Sequence, residues 1–261
     1  MPQRWKRRIV RAQELATQYP AAAEVLGFYG EIAVFQKQVF DATASEQLPT
    51  DPMRPFDEQL VRPALLTLFP SLLEVVEMKG PTGLARAGRE LRQKGEEDWR
   101  RVLESQSAEA TTPAEQFFAR VCLQPVAEYL ALEGKVQLSG YTGSLCPVCG
   151  APAQVSVLRP EGQGGKRSLI CSCCATEWDF RRILCPNCAE EGHDKLPRFS
   201  AEDFPHIRVE ACDTCKRYLK SVDLTLNGVA VPLVDEIAAA PLDLWAAEHG
   251  YEKIELNLMG L

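Results

Sequence analysis

The chain has 261 residues, 25% of them charged and 46% hydrophobic, the balance of an ordinary water-soluble globular protein with material for one large domain or two modest ones. Its formal net charge of -7 argues against a protein devoted to nucleic-acid backbones, which are usually met by basic domains, although a local basic face stays open. The most apolar stretch, Val61 to Val76, is interrupted by Arg62, Pro63, Pro70 and Glu74, so no membrane span is expected there.

The start, Met1-Pro2-Gln3-Arg4-Trp5-Lys6-Arg7-Arg8, is basic but lacks the apolar run of a secretory leader, and Arg7-Arg8 is not read as a twin-arginine signal. The expected location is therefore the cytoplasm. Structural disulfides are rare in that reducing compartment, so the ten cysteines read first as metal ligands.

Val25, Phe28, Ile32, Phe35 and Val39 recur at three- and four-residue steps, and Pro20 splits the segment. The pattern predicts helices over Arg4–Gln18 and Ala21–Phe40, with the basic cluster before Leu15 forming solvated helix surface rather than a partner face. Pro49, Pro52 and Pro55 among polar residues predict a loop over Asp41–Phe56. Helices are expected next over Phe56–Met78 and Thr82–Ser105, the second charged and superficial. Thr112-Pro113-Ala114-Glu115 combines a capping threonine, a proline at the first helical position and a glutamate that reaches back. It should open a helix through Phe117, Phe118, Val121 and Leu123 to about Leu132, with Pro125 as a candidate kink. Cys122, inside that apolar pattern, reads as a buried small hydrophobe.

Near Gly134 the character changes to glycines, short strand-like runs and cysteine pairs, which continue to about Asp223. A domain boundary is expected between Gly134 and Ser144. The tail returns to helix, with Val234, Ile237, Ala238, Leu242 and Trp245 on one face and Gly250 as the stop.

The region between is built on four Cys-x-x-Cys knuckles: Cys146/Cys149, Cys171/Cys174, Cys185/Cys188 and Cys212/Cys215. Two cysteines at this spacing can turn both sulfurs toward one point, as a tetrahedral metal site requires. One pair would be weak evidence, because thioredoxin-like redox motifs share the spacing, but four pairs supply enough thiolates for two closed sites. Residues 150–170 and 189–211 separate the first knuckle from the second and the third from the fourth, whereas only residues 175–184 separate the second from the third. The long gaps suit the hairpins of zinc ribbons and rubredoxin-like sites, so the knuckles should group first with second and third with fourth, interleaved grouping being the alternative. Gly150 follows the first knuckle and permits positive φ, while Ala189 stands in the equivalent place after the third. Cys173 is the odd thiol of the second knuckle, turned away or spare. His193 and His206 are assigned surface or capping roles rather than ligation, and Trp178 an apolar lid over the first site. Four thiolates suit zinc and equally a single iron. No open coordination position is implied, which argues against hydrolytic catalysis.

The knuckles with Thr176-Glu177-Trp178, Arg182 and Lys216-Arg217-Tyr218-Leu219-Lys220 resemble the FdhE family, the formate dehydrogenase accessory proteins. The resemblance extends to Arg11-Ala12-Gln13-Glu14-Leu15-Ala16 and to Leu242-Asp243-Leu244 with Gly250-Tyr251. The chain departs from the family pattern at Ala189, at Cys173, and at Asp235-Glu236, which replaces a paired aspartate. The resemblance implies a helical N-terminal domain (1–138), two tandem rubredoxin-like four-cysteine subdomains (139–183 and 184–228) and a C-terminal helical segment packing on the body (229–261). It further implies a non-enzymatic cytoplasmic maturation factor that binds the catalytic subunit of formate dehydrogenase before export, and it favours iron over zinc, one ion per site. Two other readings stand beside it. A zinc-ribbon nucleic-acid binder would use Lys166, Arg167, Arg181, Arg182, Lys216, Arg217 and Lys220, which alternate with acids and read more plainly as scattered solvated charge. A thiol redox or sulfur-transfer protein would need one reactive pair with a depressed thiol pKa.

Overall fold

The computed structural model describes residues 2–46, 55–104, 112–134, 136–162 and 164–261. The two helices predicted at the start are α1 (Pro2–Gln18) and α2 (Ala23–Ser45), separated by a 3-10 turn at Pro20–Ala22. α2 runs beyond Phe40 into the stretch expected to be loop. Thr43 and Ser45 turn their hydroxyls back onto the carbonyls of Val39 and Asp41, at 2.8 and 2.9 Å, so these polar side chains find partners within the helix. Pro49 and Pro52, which prompted the loop reading, lie outside the described residues; Pro55 precedes a 3-10 turn at Asp57–Gln59. Regular helix resumes at α3 (Pro63–Lys79), where Pro63 takes the first position. The stretch predicted as one helix from Thr82 is two, α4 (Thr82–Lys94) and α5 (Glu96–Glu104), broken at Gly95 with φ 125°; Ser105 lies outside the described residues.

α6 (Pro113–Glu133) opens on the predicted capping box. The Glu115 amide donates to Thr112 Oγ1 at 3.2 Å, and the Thr112 amide donates to Glu115 Oε2 at 2.9 Å. The helix continues through Pro125. Proline cannot bond the carbonyl of Val121 four residues back, and Gln36 Nε2 on α2 donates to that oxygen at 3.2 Å, which keeps it satisfied. Cys122 is fully buried, and burial pushes its thiol pKa up.

The chain divides into two compact units, Met1–Trp5 with Phe28–Lys135 and Lys6–Gly27 with Val136–Leu261. The first is helical. Its interior includes Ile32, Phe35, Val39, Phe69, Leu72 and Phe118, none more than 2% exposed. Among the described residues, no helix is long and apolar enough to cross a membrane.

The second unit carries β1 (Ala153–Glu161), β2 (Gly164–Cys171), β3 (Glu177–Asp179), β4 (Arg198–Ser200), β5 (Ile207–Ala211), β6 (Arg217–Asp223) and β7 (Glu252–Lys253). They form one sheet in the order β3-β2-β1-β6-β5-β4, with β7 beside β6. β1–β3 and β4–β6 are two antiparallel ribbons, joined where β1 and β6 run parallel with Ser156 opposite Ser221 and Val157 opposite Val222. Val155, Val157 and Ile170 of the first ribbon share one buried cluster with Ile207, Val209 and Val222 of the second. Leu242 and Ala246 of α8 (Ala240–Glu248) belong to the same cluster, as does Ala239 before it, and α7 (Pro232–Ala238) packs against β1 and β6, one strand from each ribbon. The tail is thus two short helices rather than one, parting at Ala239, and the chain leaves α8 through Gly250 at φ 78°.

Several charges expected at the surface are interior. Arg167 on β2, only 4% exposed, meets Glu210 on β5 at 2.7 Å, donates to Ser156 Oγ at 3.1 Å and to the Arg181 carbonyl at 2.8 Å, bridging the seam. Of the basic cluster before Leu15, Arg8 and Arg11 are buried. Arg11 forks onto Asp235 of α7 through Nε at 3.0 Å and its terminal nitrogen at 2.6 Å. His206 is neither surface nor cap: it is 6% exposed, with Nε2 3.0 Å from Asp235. Lys220 of β6 is wholly buried, 2.9 Å from Glu236 and 2.5 Å from Asp243. Lys253 reaches the same Glu236 oxygen at 2.9 Å, while Gln154 and Asn257 donate to the other oxygen, each at 2.9 Å. Tyr218 donates to Asp243 at 2.7 Å.

Burial alone would raise the Glu236 pKa, but Lys220 and Lys253 together outweigh it and hold the carboxyl down to about 2. A carboxylate depressed on folding contributes stability above its unfolded pKa of roughly 4.3 and loses that contribution as pH falls toward the folded value. Lys220→Met would leave Glu236 and Asp243 as buried acids short of a partner. It should cost about 3–5 kcal/mol in denaturant unfolding and shift the onset of acid unfolding to higher pH.

Candidate metal centres

Each knuckle is held by the same backbone device. The amide of its first cysteine donates to the carbonyl five residues on: Cys146 to Ala151, Cys171 to Thr176, Cys185 to Glu190 and Cys212 to Arg217, at 2.8 to 2.9 Å. The residue after its second cysteine is left-handed, with φ of 74° at Gly150, 52° at Ala175, 61° at Ala189 and 56° at Lys216. In three knuckles this residue also donates back to the first cysteine's carbonyl: Gly150 to Cys146 at 3.0 Å, Ala189 to Cys185 at 3.0 Å and Lys216 to Cys212 at 2.8 Å. Ala189 therefore takes the left-handed conformation of Gly150, and the third knuckle has the geometry of the first.

The turns bring the eight cysteines into two groups of four, Cys146, Cys149, Cys171 and Cys174, and Cys185, Cys188, Cys212 and Cys215, each with its sulfurs within 4.8 Å of one another. The grouping follows the long gaps. In the first group Cys149 lies 3.3 Å from Cys171 and 3.5 Å from Cys174, and Cys146 lies 3.5 Å from Cys174. In the second, Cys185 lies 3.7 Å from Cys215 and Cys188 lies 3.6 Å from Cys212. A tetrahedral ion with bonds of about 2.3 Å needs sulfur–sulfur edges of roughly 3.8 Å, close to these separations.

Charge points the same way. Hydrogen bonds from Cys149, Cys171 and Cys174 pull the Cys146 thiol pKa down. The same crowding pushes Cys149 up to about 12 and Cys171 and Cys174 above the ordinary thiol range. One thiolate is favoured and further ones are resisted, so full ionisation calls for a cation at the centre. Backbone amides are already aimed at sulfur: Val148 at Cys146 and Asn187 at Cys185, both at 3.4 Å, and Cys173 at Cys171 at 3.3 Å. The donor set and its amide support fit a thiolate-bound ion.

The two groups differ in exposure. Cys146, Cys171 and Cys174 are buried with Cys149 intermediate, whereas in the second group Cys185 and Cys212 are buried, Cys215 is intermediate and Cys188 is exposed. Cys173 is partly exposed and stands outside the first group, contributing its amide rather than its sulfur. Trp178, 2% exposed, donates its indole N–H to the Gly143 carbonyl at 3.0 Å, tying β3 to the approach of the first knuckle and leaving almost no indole surface for a partner. His193 is exposed at the start of a 3-10 turn, His193–Lys195. Neither it nor His206 joins a cysteine group.

The Arg11–Asp235–His206 and Lys220–Glu236–Lys253 networks escaped the sequence reading. A signal for the second was present: Lys220 interrupts a strand whose neighbours Tyr218, Leu219 and Val222 are apolar on both faces, the pattern of a strand covered on both sides.

Comparison with known proteins adds three findings. Residues 145–182 match the family model described as "FdhE, central domain", and residues 183–259 match "FdhE, C-terminal domain". The chain is 38% identical over 146 residues to the protein FdhE homolog of Aquifex aeolicus, covering 56% of this chain and 52% of that one. It is 35% identical over 135 residues to the protein FdhE homolog of Pseudomonas aeruginosa, covering 50% and 44%. The matches thus span about half the length of these curated relatives. The crystal structure of the FdhE protein from Pseudomonas aeruginosa superposes with a TM-score of 0.73 at 26% identity, over 99% of this chain and 96% of that one.

A left-handed conformation costs a non-glycine residue roughly 1 kcal/mol. Ala189→Gly should therefore raise the stability of the folded chain by about that much in denaturant melts. Gly150→Ala, whose added methyl would meet no atom within 4 Å, should lower it by a similar amount.

Proposed function

This chain belongs to the FdhE family, and from that premise we propose that it is a non-enzymatic accessory protein which binds the catalytic subunit of formate dehydrogenase in the cytoplasm and supports its maturation before export. The observation that carries the reading is the likeness of fold to an FdhE protein over 99% of the chain. The closed character of both cysteine groups is in keeping with it. Four sulfurs around one point leave no coordination position for substrate, so an ion held there would organise a surface or exchange an electron rather than activate water.

On this proposal the eight cysteines are the ligands, one ion in each group. Residues 139–183 and 184–228 are then the two metal subdomains, set between a helical domain (1–138) and a C-terminal helical segment (229–261). Iron is favoured over zinc by the family resemblance, and bound iron would supply one-electron chemistry at a site otherwise filled by inert thiolates. The interior placement of Arg167 and Lys220 supports a protein rather than a nucleic-acid partner, because it removes two cations from any basic face the ribbons could offer.

Two measurements test the proposal. Affinity capture with the tagged chain should retain formate dehydrogenase catalytic subunit carrying its export signal, and complete failure to retain it from an expressing cell would overturn the partner assignment. Anaerobically purified protein should contain two metal ions per chain on the proposed stoichiometry, with thiolate-to-iron absorption bands if the metal is iron. Cys146→Ser should halve that content and loosen the first ribbon, since metal binding and folding are coupled in sulfur-rich modules. Unchanged metal content in this variant would refute the ligand assignment.

A further inference from the structure

The helical unit holds a buried cation that neither cysteine group uses. Arg62, immediately before α3, is only 9% exposed, and its Nε has no hydrogen-bond partner. Among the described residues no carboxylate stands within ion-pair distance of it. A guanidinium nitrogen removed from water without a partner is costly, and folded proteins rarely keep one without use. Arg62 lines a cleft of about 420 Å³. Val61, Pro63 and Leu66 form its apolar lining, and Thr67, Glu96 and Arg100 bring polar groups to it.

The start of α3 offers the cleft no free amide from Ala64 or Leu65. Its Ala64 amide donates to Glu46 Oε1 at 2.8 Å and its Leu65 amide to the Arg62 carbonyl at 3.0 Å, so these donors are spent. The demand comes from side chains. Arg100 gives one donor to Glu96 at 3.2 Å and, with five N–H groups, keeps others free. Glu96 offsets one of the two guanidinium charges and Glu46, whose other carboxylate oxygen is buried without a hydrogen-bond partner, lies at the same helix start, so what marks the cleft is the unpartnered Arg62 Nε beside an apolar wall rather than an excess of positive charge. The volume lies within the ordinary range for small-molecule sites.

We propose that this cleft binds a small amphipathic oxyanion, a carboxylate or phosphate monoester whose head group pairs with Arg62 while its apolar body lies on Val61, Pro63 and Leu66. Arg62 would give planar, bidentate recognition of the head group, and Arg100 at the exposed side would add a second contact. The inference rests on the helical unit alone and stands apart from the metal centres and from the formate dehydrogenase reading.

Calorimetric titration of the full chain at constant ionic strength tests it, with phenyl phosphate, benzoate and inorganic phosphate as probes. Saturable one-to-one binding of phenyl phosphate or benzoate is expected, at least tenfold weaker in Arg62→Gln and several-fold weaker in Arg100→Gln, whose exposed position leaves the fold intact. Preference between the two organic probes identifies the head group, and inorganic phosphate binding as tightly as phenyl phosphate would overturn the role of the apolar wall. Arg62→Met should raise the melting temperature without ligand, because it removes a buried unpartnered charge, and should abolish the rise that the probe gives the unsubstituted chain. No saturable binding of any probe, equal binding by Arg62→Gln, or a lower melting temperature for Arg62→Met would overturn the proposal.

Discussion

Sulfur crowding is the constraint on which the second unit depends. Each knuckle turn brings two sulfurs to one point, and the hairpins between knuckles bring two such points together, until four sulfurs lie within 4.8 Å. In that arrangement one thiol ionises easily at the expense of its neighbours, as the opposed shifts of Cys146 and Cys171 display. A cation at the centre converts the mutual opposition into four attractive bonds. The backbone is built toward that outcome, since three of the four knuckles place a non-glycine residue at positive φ to close the turn. That strain is tolerable only where the hydrogen bonds of the turn and the strands on either side over-determine the geometry.

The two centres are not independent beads. β1 and β6 join their ribbons into one sheet, and one apolar cluster runs beneath both. Arg167 of the first ribbon pairs with Glu210 of the second, and Glu236 of α7 collects Gln154 from the first together with Lys220 from the second. Interior ion pairs are poor sources of net stability, because desolvation offsets most of their attraction. Their effect here is one of register: an apolar seam would tolerate slippage of one ribbon along the other, whereas a buried charge accepts only the alignment that supplies its partner. Loosening one centre would therefore be felt at the other through the seam.

The parts legible in the sequence are those set by local chemistry. The capping box at Thr112, the helical stripe from Val25 to Val39 and the knuckle grouping all follow from spacings within a few turns of chain or from the length of a hairpin. Gaps of 21 and 23 residues against 10 sufficed to group the knuckles. What was not legible depends on long-range pairing. The parallel β1–β6 seam joins segments more than fifty residues apart, and nothing in either strand announces a partner of the same direction. Arg11, Arg167, His206 and Lys220 were assigned to solvent because each is charged or polar by type; their burial follows from carboxylates supplied by other elements, in Arg11's case 224 residues away. The loop expected from Asp41 rests on prolines further along the chain, while at the end of α2 the Thr43 and Ser45 hydroxyls are satisfied by the helix itself.

The two centres share ligand type, turn geometry and sheet, so what distinguishes them is contact with water. The first has three buried cysteines, whereas the second has two and an exposed Cys188. Solvent access and local dielectric set both how readily a thiolate-bound ion leaves and, for a redox metal, its potential. With identical donors, the enclosed site suits permanent residence, while the open one presents a sulfur to solvent. A difference of this kind cannot come from the cysteine spacing, which is the same in all four knuckles. It comes from the chain outside the knuckles.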